Sequence, residues 1–127
     1  MEVAALIAVV LLVIIGLFQM ALALGAPWGS AAWGGGFGAV LPARMRVASG
    51  VAGIVIYPLA VVYVLASSEL VDADWLPGAG SVAMWILVVF FGIGSLANFA
   101  SRSRIERIWG PVSLVIAVCC GFIAVRI

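Results

Sequence analysis

Apolar residues fall in four long runs, and the three interruptions between them differ in character. The first run, residues 3–24, is broken only by Gly16 and Gln19. At about 1.5 Å of rise per residue it reaches roughly 33 Å as a helix, enough to cross a bilayer core. The second run, residues 47–66, carries Pro58 in its middle, where the missing N–H predicts a kink. The third covers residues 82–100, with Ser81 as a candidate N-cap and Trp85 near its start as an interfacial anchor. Its far end, Gly92 to Asn98, turns small and polar. A fourth helix is expected over residues 105–126, because Ser103 with Glu106 three residues later fits a capping box. Pro111 is expected to bend that helix early. The pattern predicts an all-α protein: a four-helix transmembrane bundle forming a single domain over residues 1–127.

Composition agrees with the pattern. Of 127 residues, 67% are hydrophobic and 9% charged, with a mean hydropathy of +1.37. A soluble domain carries about 25% charged residues, so these cannot cover a water-facing surface. The first run could instead be read as a signal peptide, since Ala21-Leu22-Ala23 resembles a cleavage site. Glu2 in place of a basic residue, and the length of the run, favour a retained span. No basic stripe interleaved with aromatics is present, which argues against nucleic acid as a partner.

The first interruption, GAPWGSAAWGGGFGAVLPARMR from Gly25 to Arg46, is unlike a soluble loop. Between Ala26 and Ala43 it has no charge, yet the stretch counted from Gly25 holds six glycines, with Pro27, Pro42, Trp28 and Trp33. Such a Gly/Trp-rich loop is expected to lie against the membrane surface and fold back over the helix ends. The second interruption, Ser67 to Gly80, is an acidic turn with Glu69, Asp72 and Asp74, read as a solvated turn in preference to a cation site. The third is SRSRIERIWGP.

Four spans put the first and third interruptions on one side of the membrane. That side carries Arg44, Arg46, Arg102, Arg104 and Arg107, whereas the other carries Arg126 alone. The positive-inside rule then predicts a cytoplasmic Gly/Trp-rich loop and extracytoplasmic N- and C-termini. Small residues recur at helical spacing, as in Ala4/Ala8, Ser49/Gly53 and Ala117/Gly121, and allow helices to approach closely in lipid.

No span has an ionisable residue in its middle, where transport sites are usually marked. Polar and aromatic residues converge instead on the cytoplasmic ends of the helices. The candidate ligand-binding residues are Gln19, Trp28, Trp33, Arg44, Arg46, Asn98, Arg104, Glu106, Arg107 and Trp109. In one reading the arginines set topology and touch headgroups, Glu106 neutralises one or two of them, and the tryptophans form an interfacial belt. In the other, Arg44, Arg104, Arg107 and Asn98 form with the loop N–H groups a pocket for an anionic headgroup or small anion, floored by Gln19.

Enzyme chemistry is not expected. There is no histidine for a triad, haem or ordinary zinc site, so no metal or cofactor is expected either. Glu106 is the only carboxylate on its side, which leaves no acid/base pair. The adjacent Cys119 and Cys120 make no CxxC motif, and GGGFG lacks the GK[ST] of a phosphate loop.

The two loops carry a resemblance. Pro27-Trp28-Gly29, Trp33-Gly34-Gly35, Leu41-Pro42 with Arg44, and later Asn98, Ser101, Ser103, Glu106-Arg107, Trp109 and Pro111 resemble an uncharacterised group of small bacterial, often actinobacterial, four-helix integral membrane proteins. The resemblance spans the whole chain in length and order; it implies the fold and the location of the site, and no activity, and the expected location is a bacterial cytoplasmic membrane. Small multidrug transporters share the size, but they need a membrane-embedded Glu where the first helix here has Gln19. Dual-topology fluoride channels have a phenylalanine/threonine-rich third helix with no counterpart in MWILVVFFGIGSLANFA. The expectation is a non-enzymatic protein that binds or transports a lipid or small amphiphile or anion at its cytoplasmic face. Its expected partners are membrane lipids and further copies in a parallel homo-oligomer; the alternative is an accessory subunit docked on a larger membrane protein complex.

Overall fold

The computed structural model describes residues 1–127 and is built from four long helices. They are α1 (Glu2–Ala23), α2 (Ala43–Ser67), α3 (Ser81–Phe99) and α4 (Glu106–Arg126), and each is long and apolar enough to cross a membrane. The four-helix transmembrane bundle expected from the hydrophobic pattern is what the chain forms.

A stripe at helical spacing marks the face of each helix that turns inward. Ala5, Ala8, Leu12 and Ile15 form the buried stripe of α1 at steps of three and four. Ser113, Ile116, Ala117, Cys120, Ile123 and Ala124 do the same for α4. With Ala60, Val64, Met84, Phe91 and Cys119, most of these residues make one core. Larger apolar residues such as Leu17, Ile54, Ile86, Ile93, Leu96 and Val118 face outward. Lipid solvates large apolar groups as well as a protein core does, so helices associate where small residues let backbones close up. Both cysteines are free and buried in this packing.

The helices are not equally joined. α3 and α4 pair along their length, and α1 packs on both α2 and α4, whereas α2 and α3 touch much less. A cleft of about 380 Å³ remains between α2 and α3, lined by residues including Val55, Ile56, Leu59, Val82, Ile86 and Phe90.

Four local features depart from the sequence reading. Helix α2 starts at Ala43, not residue 47, because the Pro42 carbonyl accepts from Met45 and Arg46 N–H at 2.9 and 3.0 Å. Hydropathy locates an apolar run and is blind to a helix that continues into charged residues. Ahead of Pro58 the helix widens into a π-turn over Ala52–Ile56, which relieves the backbone where the proline gives no N–H. Ser81 does not cap α3; its hydroxyl donates to the Ala124 carbonyl of α4 at 3.4 Å, and Gly80 precedes the helix. The α4 span opens with a 3₁₀ turn, Glu106–Ile108, and becomes α-helical at Trp109. Pro111 therefore falls in the first α-turn, where its missing N–H costs little.

The Gly/Trp-rich loop is fixed at both ends. Helix α1 closes in a Schellman arrangement: Gly25 N–H donates to Leu22 O at 3.1 Å and Ala26 N–H to Ala21 O at 2.9 Å, with Gly25 at φ +99°. Arg46 Nε–H adds a bond to the Ala23 carbonyl at 3.0 Å, placing a cation at the negative end of α1. Within the loop, Gly29 N–H donates to Ala39 O at 2.7 Å, and a Cβ at Gly29 would stand 2.2 Å from the Gly38 carbonyl. The loop crosses itself there, and only glycine fits.

Candidate functional site

The loop after α1 and the turn before α4 meet at one end of the bundle. Trp109 Nε1–H donates to the Ala31 carbonyl at 3.0 Å, and the Ser103 hydroxyl donates to the Ser30 carbonyl. Gly35, at φ +76°, lies so close to this turn that a Cβ would sit 2.7 Å from Ser103 Cβ. Trp33 Nε1–H reaches the buried Ser49 hydroxyl on α2 at 2.9 Å. Trp33 holds φ +52°, a left-handed conformation that a bulky residue rarely adopts. Strain of that kind costs of order 1–3 kcal/mol and persists where surrounding bonds over-determine it.

The loop roofs a cavity of about 250 Å³ to which every helix contributes. Phe18 and Gln19 come from α1, Ala31–Trp33 from the loop, and Ala52, Ile56 and Tyr57 from the π-turn region of α2. Helix α3 supplies Phe90 and Asn98, and α4 supplies Glu106, Trp109 and Ser113. Ordinary ligand pockets run from about 300 to 1,000 Å³, so this one suits a head group and not a drug-sized molecule. Ile56 and Phe90 line both this cavity and the α2–α3 cleft, so the two spaces adjoin.

Helix phase explains why polar groups point inward here. Gln19 continues the α1 stripe of Ala5, Ala8, Leu12 and Ile15, and its Oε1 is buried with no hydrogen-bond partner. It is the only buried side-chain polar atom of the protein in that position. An unpartnered buried acceptor costs about 1–3 kcal/mol. Asn98 lies one turn beyond the buried Ser95 of α3. Ser95 itself is tied to the α3–α4 contact, its hydroxyl donating to Gly110 O at 2.8 Å.

Glu106 is buried, and its carboxylate accepts from the Ser101 hydroxyl at 3.1 Å. The capping box forms by half. Glu106 N–H reaches the Ser103 hydroxyl at 3.4 Å, but Ser103 N–H turns to the Ser101 hydroxyl at 3.2 Å and not to the Glu106 carboxylate. The expected neutralisation of arginines by Glu106 is absent. Arg107 Nε–H donates to the Ser101 carbonyl at 2.8 Å, and no arginine bonds the carboxylate.

Five of the ten residues singled out by sequence therefore share the cavity: Gln19, Trp33, Asn98, Glu106 and Trp109. The other five do not line it. Arg46 caps α1, Arg107 holds the Ser101 carbonyl, and Arg44 lies over the Phe37 ring at 5.8 Å. Arg104 is exposed. Trp28 stacks on Phe18 with ring centroids 6.4 Å apart, outside the cavity. The arginine-lined anion pocket is thus not the arrangement found: the guanidinium groups are on the rim or engaged with backbone. The loop N–H groups are partly engaged as well, those of Gly29 and Gly35 on Ala39 O and Ala32 O.

Sequence reading missed Tyr57, Ser113, Phe18 and Phe90. Ser113 was detectable, since it lies one helical turn after Trp109 on the buried stripe of α4. Tyr57 and Phe90 carried no such signal; they reach the cavity because α2 widens at the π-turn and leaves α3 apart. At the opposite end, Glu69, Asp72 and Asp74 do not gather into a group that could hold a metal ion. Compared with protein-family models, curated proteins and solved structures, the chain matches none.

Proposed function

We propose that this protein binds a single-chain amphiphile, holding the polar head in the roofed cavity and the apolar tail in the α2–α3 cleft. One observation carries this reading: a small cavity lined by Gln19, Asn98, Glu106 and Ser113 opens beside an apolar cleft through shared Ile56 and Phe90. A head seated beside Gln19, Asn98 and Glu106 would direct a tail past Phe90 towards Leu59 and Ile86. The depth suits a molecule entering from the leaflet on the loop side. With five arginines on that side and one on the other, the loops face the cytoplasm of a bacterial cell and the protein sits in the cytoplasmic membrane with both termini outside. It shares this placement with the small four-helix bacterial membrane proteins that its loops resemble. Binding and not catalysis is the fitting activity, since the cavity has a single carboxylate and no histidine, with the Tyr57 phenol as its only other acid/base group.

The test uses the protein in maltoside micelles with a spin-labelled decyl amphiphile that quenches tryptophan fluorescence. Saturable quenching is expected, weakened about tenfold or more by Ser113→Leu in the cavity and by Ala83→Phe in the cleft. Saturation unchanged in both variants would remove the site.

A further inference from the structure

We infer that the head group taken by this cavity is a cationic ammonium, a conclusion that rests on the amphiphile site above. The argument is a census of what the walls have left to offer. The two indole donors are engaged, Trp33 Nε1–H on Ser49 and Trp109 Nε1–H on Ala31 O, and the donors left on the wall are neutral ones, the Gln19 and Asn98 amides and the Tyr57 and Ser113 hydroxyls. The guanidinium groups of Arg46 and Arg107 donate to backbone carbonyls, and no arginine lines the space. The only charge that remains is negative: Glu106 is the one charged residue on the wall, with one protein hydroxyl on its carboxylate.

The remaining surface is aromatic. Phe18, Trp33, Tyr57, Phe90 and Trp109 all line the cavity, and Phe18 and Trp109 pack together with centroids 4.9 Å apart. Aromatic faces attract cations through the ring quadrupole, more strongly when water is excluded. An anion would meet a carboxylate and ring faces with no opposing charge, which a desolvated site disfavours. A neutral head would hydrogen-bond the free amides and hydroxyls but leave Glu106 unopposed. An ammonium opposes the carboxylate and rests on the rings.

The chemistry does not distinguish a long-chain amine from the ammonium of a lipid headgroup or a free ammonium ion, so the experiment includes each. Protein in maltoside micelles is titrated with decyl chains ending in trimethylammonium, primary ammonium, hydroxyl or carboxylate, followed by calorimetry and tryptophan fluorescence. The ammonium-headed chains should bind about tenfold or more tightly than the hydroxyl-headed chain. Glu106→Gln should abolish most of that preference. Gln19→Leu should reduce the preference for primary ammonium in particular, because that head donates hydrogen bonds and trimethylammonium does not. The head-group series on the unaltered protein stands even if a variant fails to fold. Equal binding of hydroxyl- or carboxylate-headed chains overturns the ammonium assignment while keeping the amphiphile site. Saturation by none of the chains removes that site and the assignment together. Tetramethylammonium binding as tightly as the decyl compound would keep the ammonium assignment and remove the tail from the cleft; a lyso-phosphatidylethanolamine that outcompetes the decyl amine would identify a lipid source.

Discussion

The two ends of this bundle treat their polar groups in opposite ways. At the end holding the termini and the acidic turn, polar side chains are tied to backbone. Tyr63 donates to Pro77 O at 2.8 Å, Ser67 accepts from Gly80 N–H at 2.9 Å, and Ser68 donates to Leu65 O at 3.2 Å. At the loop end, a more elaborate scaffold of hydrogen bonds surrounds a cavity, and Gln19 on its wall has a buried Oε1 with no partner at all. The difference teaches that the density of polar residues does not mark a site. What marks it is a rigid frame around groups whose own bonding is incomplete, because a protein retains an unsatisfied buried acceptor at a cost to stability.

The largest test of that comparison is on the glycines. Gly29→Val should lower stability by more than about 3 kcal/mol or abolish recovery of folded protein, because the new side chain collides with backbone where the loop crosses itself. Gly78→Ala at the other end, with φ +75° and open space around it, should cost about 1 kcal/mol. Thermal unfolding in detergent reads both, and equal losses would mean the loop is not the tighter structure. Ile116→Ala, in the core common to both ends, should cost about 2–4 kcal/mol. Trp33→Phe and Tyr63→Phe each remove one hydrogen bond and should each cost about 1 kcal/mol. Of these two, only the first should change amphiphile binding; an equal effect of Tyr63→Phe would dissolve the distinction between the ends.

Gln19→Leu separates stability from function. Removing an unpartnered acceptor should leave the melting temperature unchanged or raise it slightly, while ligand affinity falls about tenfold. A substantial loss of stability would show that the amide is structural. The smallest effect is expected from Arg44→Ala. Its guanidinium lies over Phe37 and outside the cavity, so stability should change by less than about 1 kcal/mol and binding by less than about twofold. A large loss of binding would return the arginines to the site.

The site was partly legible in the chain because helix phase is legible. Gln19, Ser113 and Trp109 fall on buried stripes whose three-and-four spacing can be counted in the sequence. Charge was the poorer guide. Arginine and glutamate at one membrane face suggest ion pairs and anion binding, but a guanidinium has several donors and a long reach, and nearby carbonyls compete for it. Arg46 finds Ala23 O and Arg107 finds Ser101 O, choices that exist only once α1 has ended and the turn before α4 has closed. The glycines were legible as a loop but not by role. Gly29 and Gly35 are required by contacts with Gly38 and Ser103, residues that the sequence does not pair with them.

Taken alone, the sequence determined the four spans and the all-α class, since burying a backbone in lipid requires helices about as long as the bilayer is thick. It also showed small residues recurring at helical spacing, which allow helices to approach closely in lipid. The tertiary structure decided where the cavity opens and which groups it leaves unsatisfied. Those properties depend on the π-turn before Pro58, the wide spacing of α2 and α3, and the closing of one loop over another, all of them outcomes of packing between segments far apart in the chain.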